Sequence, residues 1–215
     1  MNSDIEKVFQ NIVEQVDNIK FVDANDIPNI DLYMDQVTTF IDRALNTSTK
    51  SKDSNEKLLT KTMINNYAKN GLLPSPVKKK YNKEHVIVLV FIYYFKNILS
   101  FSDIKALLQP VTDKYFGKNS KVTLDEIYTQ VENIEKKQIH NLEDEIIAKY
   151  SLVESSFDAE EDREFLQMFL LICTLILDVY SKKKLIEKMI KEFADKYGDK
   201  YGDKEEHSKK TKNKK

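Results

Sequence analysis

A stripe of polar side chains repeats every four residues in the middle of the chain. Lys61, Asn65 and Lys69 would share one face if this segment is helical. Thr62 and Asn66 stand beside them. A carboxamide can pair bidentately with adenine in the major groove of a duplex, and an ammonium group can neutralise a phosphate. The stripe therefore has the chemistry of double-stranded nucleic-acid recognition. The alternative is an ordinary solvated helix face.

A run of three lysines follows this stripe. Lys78, Lys79 and Lys80 end a short proline-containing connector. Lysines in such a loop can rest on phosphates, and each neutralised phosphate adds about 0.9 to the slope of log affinity against log salt. The alternative is a loop whose lysines only aid solubility. Lys83 is a weaker candidate, because the neighbouring Glu84 partly cancels its field.

The stripe requires a helix, and the sequence contains signals for both of its ends. The Thr60 hydroxyl can accept a hydrogen bond from an exposed backbone N–H of the first turn. Gly71 suits a left-handed C-terminal stop. The helix is therefore predicted over 61–70. Its other face is apolar and consists of Met63, Ile64, Tyr67 and Ala68. Tyr67 would keep its ring on the core and could offer its hydroxyl to a phosphate.

Residues 85–94 carry conflicting secondary-structure signals. The segment HVIVLVFIYY is rich in β-branched and aromatic residues, which is typical of a strand. Asn82 can cap a helix that starts at Lys83, the first turn contains Glu84, and no turn residues interrupt the run. These signals favour a helix over about 83–99.

Apolar residues recur at steps of three and four along most of the remaining chain. This periodicity predicts helices at about 2–18, 31–45, 103–108, 121–149 and 159–197. Ser102 should cap the short helix, and Pro110 should close it. The most apolar stretch, 165–177, is shorter than the roughly 20 residues that span a bilayer, so we expect a buried helix. Its side chains could pack inside the monomer or form a dimer interface.

The composition excludes several kinds of site. Only 4 glycines and 4 prolines occur among 215 residues, which disfavours hairpin-rich folds, and no glycine-rich phosphate loop is present. The single cysteine, Cys173, rules out intrachain disulfides and multi-cysteine metal sites. The three histidines lie too far apart to suggest a metal site. We therefore predict no enzyme, no cofactor and no metal.

The first 20 residues lack the apolar segment of an export signal, and we expect a cytoplasmic protein without membrane association.

The overall net charge of −1 hides a block pattern. Residues 51–110 carry 10 basic and 4 acidic groups, a net charge of +6, and the blocks on either side are acidic. A basic middle block is compatible with binding of a polyanion.

The stretch from Leu58 to Leu108 resembles the DNA-binding half of MerR-type transcription regulators. In those proteins a recognition helix ends in Tyr-x-x-x-Gly-Leu-Leu-Pro, a short basic wing ends in Tyr, and two further helices follow. The positions that match this pattern are Tyr67, Gly71, Leu72, Leu73, Pro74, Tyr81, His85, Phe101, Ser102, Ile104, Leu107 and Leu108. With the upstream segment IPNIDLYMDQVTTF included, the chain is identified as a member of a bacterial family called domain of unknown function 1836, over about residues 20–150.

Two features depart from the MerR pattern. MerR-type recognition helices usually carry an arginine and two tyrosines in their middle, whereas this chain has Asn65, Asn66 and Tyr67. The turn before their recognition helix is short, whereas the loop 46–59 is long. The contacts of those proteins therefore cannot be transferred as a set.

The resemblance implies an all-α protein with a MerR-like winged helix-turn-helix module and long C-terminal helices. The module would occupy 28–110, after an N-terminal helix and connector at 1–27. A helical C-terminal region would follow at 111–197, and then a disordered basic tail at 198–215.

The implied function is sequence-specific binding of double-stranded DNA by a homodimeric transcriptional regulator. The recognition helix would lie in the major groove, with Asn65 as the main reader and Lys61, Thr62 and Asn66 in support. The wing lysines would contact phosphates. The C-terminal helices would dimerise or sense an effector. The alternative is a helical adaptor that uses the same stripe to bind an acidic protein.

Overall fold

The computed structural model describes residues 4–16, 19, 21–46 and 58–201, and most of them are helical. The described helices are α1 (Asp4–Glu14), α2 (Met34–Asn46), α3 (Lys61–Lys69), α4 (Lys83–Phe95), α5 (Phe101–Tyr115), α6 (Leu124–Val153) and α7 (Arg163–Tyr201). Most of the predicted loop 46–55 and of the predicted tail lies outside the described residues. The first residues of that tail, 198–201, continue α7 instead.

A two-stranded antiparallel sheet joins the two ends of the region that contains α2 and α3. Strand β1 (Leu32–Tyr33) leads directly into α2, and β2 (Lys80–Tyr81) leads into α4. Leu32 lies opposite Tyr81, and Tyr33 lies opposite Lys80. Since α2 also packs against α3 and β2, these elements form one unit.

Helix α4 lies at the centre of the main core, which confirms the helix predicted over about 83–99, although it ends at Phe95. All residues from His85 to Tyr93 are buried. A helix that is surrounded on every side is apolar around its whole circumference, so its sequence shows no helical period. Its start is fixed by a capping box: the Asn82 side chain accepts from the His85 backbone N–H at 3.1 Å, and the Asn82 N–H donates to His85 Nδ1 at 3.2 Å.

Helix α5 continues through Pro110 to Tyr115, so the predicted end of this helix is wrong. Ser100, not Ser102, is its N-cap, and the Ser100 hydroxyl accepts from the backbone N–H of Asp103 at 3.2 Å. Proline removes a helical hydrogen bond and disfavours a helix interior. Here Pro110 is buried and α5 packs along α7, so tertiary contacts outweigh this local penalty.

Helix α7 is less buried than predicted. Leu171 and Gln167 are buried where α7 packs against α6 and α1, around Phe9 and Val153. In the same half of α7, seven large apolar side chains are 48–72% exposed: Phe165, Phe169, Ile172, Ile176, Leu177, Val179 and Tyr180. The prediction that 165–177 is buried is therefore wrong for the single chain, because its neighbours cover only one face.

Helix α7 also meets the length and composition criteria of a membrane span. Within Arg163–Gly198, the most apolar 18-residue window has a mean hydropathy of 1.6, and 11% of it is buried. Core helices meet the same criteria, so one such helix is weak evidence for membrane association.

Candidate nucleic-acid interface

Helix α3 presents the predicted polar stripe on its outer face. The Thr60 hydroxyl accepts from the backbone N–H of Met63 at 3.2 Å, as an N-cap. Ile64 is fully buried and anchors the helix to the core. The side chains on the opposite side are all exposed: Lys61, Thr62, Asn65, Asn66 and Lys69. The helix predicted over 61–70 is thus confirmed to within one residue.

Tyr67 lies between the stripe and the core. Its ring is half-buried against the main core, and burial raises the pKa of its phenol. Its carbonyl accepts from the N–H groups of Leu72 at 2.9 Å and Leu73 at 3.2 Å, which ends α3. The connector that starts there leads to the turn at 78–80, which we call the wing after its predicted role. Tyr67 therefore ends the helix through its carbonyl and holds the helix against the core through its ring.

Two of the candidate lysines have acidic neighbours. Lys61 forms an ion pair with Asp35 in the first turn of α2, and both side chains are more than half exposed. An exposed pair of this kind contributes less than about 1 kcal/mol, so a phosphate can compete for Lys61. Lys83 pairs with Asp125 of α6 at 2.7 Å and is largely buried, which makes it a structural residue.

The three wing lysines differ in environment. Lys78 and Lys79 have φ angles of 52° and 64°, and the N–H of Lys80 donates to the carbonyl of Val77 at 2.9 Å. These residues form a two-residue turn of the type that closes hairpins, which normally carries Asn and Gly. Both lysines are exposed at its tip. Lys80 is a residue of β2, and its ammonium lies 5.7 Å from the ring centroid of Tyr33 in β1.

The left-handed backbone at the wing tip should cost stability. Such a conformation disfavours residues with a side chain by about 1–2 kcal/mol each. Replacing the tip by the preferred residues, Lys78→Asn with Lys79→Gly, should raise the free energy of unfolding by about 1 kcal/mol after the added flexibility of glycine is subtracted. Denaturation in urea measures this change.

A matched control removes two other lysines. Lys118→Asn with Lys121→Gly changes two positions of the loop between α5 and α6 at which φ is not positive, and should give no gain in stability. An equal gain in both double variants would show that loss of positive charge, rather than relief of the backbone, is the cause.

Residues 22–131 match the profile of a protein family described as Domain of unknown function (DUF1836). The chain belongs to this family. The matched DUF1836 region begins before β1 and ends inside α6, so it contains both the stripe and the wing. The family predicted from the sequence is confirmed, over a shorter range than 20–150. Searches of curated proteins and of solved structures gave no match.

Another cation of the DUF1836 region lies beside the stripe and was not predicted. Lys105 of α5 donates to the backbone carbonyl of Asn70 at 3.0 Å, at the C-terminal end of α3. A cation there is favoured by the helix dipole. If residue 71 had a Cβ, that atom would lie 3.6 Å from the Lys105 ammonium. The φ of +71° at Gly71 also favours glycine. No local sequence signal links Lys105 with α3, because the contact depends on the packing of α5.

The metal-ligating side chains of the described part of the DUF1836 protein do not cluster. Among its residues no group of three or more His, Cys, Asp or Glu side chains could hold a metal ion. Cys173 is a half-buried free thiol on α7. The arrangement around α3 can recognise a surface, and its exposed groups are amides, hydroxyls and ammonium groups.

Proposed function

We propose that this DUF1836 protein is a transcriptional regulator that binds double-stranded DNA through a MerR-like winged helix-turn-helix module. The observation that carries the proposal is a short capped helix with a fully exposed row of amide and ammonium groups, followed by a tight turn with two exposed lysines. Helix α3 would lie in the major groove and the wing on the phosphates. Such a regulator acts in the cytoplasm, where we place this protein.

The two asparagines of the stripe are suited to read bases. Within the described part of the chain, neither the Asn65 nor the Asn66 side chain forms a hydrogen bond, and both are exposed. Their carboxamides can therefore pair with base edges without first breaking a protein contact. A bidentate pair with adenine contributes about 1–3 kcal/mol of discrimination against other bases.

The lysines supply the sequence-independent part of binding. Lys69, Lys78 and Lys79 are exposed and have no acidic partner among the described residues. Each contact with a phosphate releases counterions, so affinity should fall steeply with salt. Lys61 and Lys80 would add to this, after Lys61 leaves Asp35 and Lys80 turns away from Tyr33.

Selection of bound sites from random duplexes, followed by salt titration on the selected site, tests the proposal. Asn65→Ala should lower the preference for the selected site over random DNA about tenfold, because a base contact is lost. Lys79→Ala should weaken all duplexes alike and lower the salt slope by about 0.9, because a phosphate contact is lost. Fluorescence anisotropy measures both.

Lys188→Ala, which removes an exposed lysine of α7 outside the proposed interface, is the control and should change neither quantity. Equal losses on selected and random DNA would remove Asn65 from the reading residues. If no duplex binds below micromolar concentration at low salt, the DNA-binding proposal fails. The alternative, a helical adaptor for an acidic protein, would then be tested with the same variants.

The proposal includes a homodimer formed through α7. The exposed residues Phe165, Phe169, Ile172, Ile176 and Val179 follow one another at steps of four, three, four and three. This spacing is the heptad pattern of a coiled-coil seam, which a second helix of the same kind would cover. The seam is about 21 Å long. A twofold dimer would place two copies of α3 on the half-sites of a palindromic operator.

A further inference from the structure

A small, partly open cavity between α4 and α6 is lined mainly by aromatic rings. It has a volume of about 100 Å³ and an almost entirely apolar surface. Its five rings belong to Phe21, Phe91, Tyr94, Phe95 and Tyr128. None of its lining residues belongs to the stripe or the wing, so the proposed DNA contacts do not use it.

Two pairs of rings meet at steep angles, and Phe91 and Phe95 stack with 26° between their planes, so that the rings form walls. The centroids of Phe91 and Tyr128 are 5.4 Å apart with 73° between the ring planes, and those of Phe21 and Tyr94 are 5.0 Å apart with 58° between the planes. The Val22 backbone holds both tyrosines: its N–H donates to the Tyr94 hydroxyl at 3.1 Å, and its carbonyl accepts from the Tyr128 hydroxyl at 2.6 Å. The walls are therefore fixed before any ligand arrives.

Two carboxylates of α6 adjoin this aromatic cavity. Glu132 is buried, accepts from the backbone N–H of Ala24 at 2.9 Å and pairs with Lys136 at 2.5 Å. Glu135, three residues along the same helix, is half-buried and forms no hydrogen bond or ion pair with a described residue. The cavity thus combines aromatic walls with one negative charge that has no partner in the described chain.

We infer that this cavity binds a small organic cation, with a quaternary ammonium head as the best fit. Ring faces carry partial negative charge and attract a cation, and cages of this kind recognise quaternary ammonium groups. Glu135 supplies the counter-charge. The inference is independent of DNA binding.

Titration of the full chain with choline and with 3,3-dimethylbutan-1-ol tests the inference. The alcohol has the shape of choline but a neutral carbon in place of nitrogen. Choline should bind one per chain and at least about tenfold more tightly than the alcohol, because only the cation gains from the ring faces and Glu135. Isothermal calorimetry measures both affinities, and tetramethylammonium should displace choline. Equal affinities, or no binding of choline, would overturn the inference.

Two variants locate the cation in the cavity. Glu135→Gln keeps the size of the side chain and should weaken choline about fivefold without changing the alcohol. Phe95→Leu keeps apolar bulk, removes one ring and should also weaken choline selectively. Glu143→Gln, an exposed position further along α6, is the matched control. Unchanged choline affinity in Glu135→Gln would overturn the inference even if Phe95→Leu does not fold.

Discussion

Replacing Phe169 and Ile176 by glutamate should convert the protein from a dimer to a monomer and weaken binding to a palindromic duplex at least about 100-fold. Both side chains lie in the proposed seam, and they are 56% and 60% exposed in the single chain. Two charges per helix cannot be buried there without partners, so the dimer should dissociate. The loss in DNA affinity follows because a dimer gains from the high effective concentration of its second half-site contact.

The control places glutamates at positions of α7 that are equally exposed but outside the heptad. Leu185 and Met189 are 59% and 60% exposed, and Leu185→Glu with Met189→Glu should leave the dimer intact. Sedimentation velocity gives the oligomeric state, and circular dichroism checks that both double variants keep their helices. A monomeric wild-type protein would contradict the proposed dimer. Wild-type protein that floats with neutral lipid vesicles, when the seam variant does not, would assign the apolar row to a membrane instead.

The starts of α3 and α4 could be predicted from sequence because their signals are local. Thr60 and Asn82 each cap the helix that begins at the next residue, through a hydrogen bond to a backbone N–H three residues later. The positive φ of Gly71 agrees with the predicted left-handed end of α3. Hydrogen bonds of this kind depend on neighbouring residues only, so single-sequence reasoning finds them. The exposed stripe followed directly, since the buried Ile64 sets which face of α3 points outward.

Features that depend on packing could not be predicted in the same way. Pro110 is a local stop signal, yet α5 continues because it packs along α7. Lys61 meets Asp35, and Lys105 meets Asn70, only after the helices are assembled. The exposure of the first half of α7 could not be predicted for the same reason, because it depends on which helices pack against α7. The apolar composition of the segment does not contain that information.

His85→Gln should make the stability of the protein almost independent of pH between about 5 and 6.5, where the wild type should lose stability as pH falls. His85 is 2% exposed, and burial is the main reason that the pKa of its imidazole is lowered from the ordinary 6.5. The charge of Asp31 and the backbone at Pro74 and Ser75 act in the opposite direction. The folded protein therefore holds His85 neutral.

The direction of the pH effect follows from this lowered pKa. Above pH 6.5 both folded and unfolded chains carry a neutral His85, and the stabilisation is fully present. As pH falls below 6.5 the unfolded chain takes up the proton first, so folding loses free energy by up to about 1.4 kcal/mol per pH unit until the folded pKa is passed. The carboxyls with lowered pKa values, such as Asp23 and Asp178, titrate below this window.

The same substitution should also lower the free energy of unfolding at pH 7.5 by about 2 kcal/mol, because glutamine can keep the capping box but cannot fill the space of the ring. The His85 ring has edge contacts with Tyr81 at 5.4 Å and with Phe116 at 4.6 Å between centroids, so it joins the wing strand to the end of α5.

Urea denaturation at several pH values separates the two effects, with His207→Gln as the titration control. If the wild type and His85→Gln keep the same slope of stability against pH, His85 is not the group that titrates. A variant that matches the wild type at pH 7.5 would instead show that the packing of the His85 ring contributes little to stability.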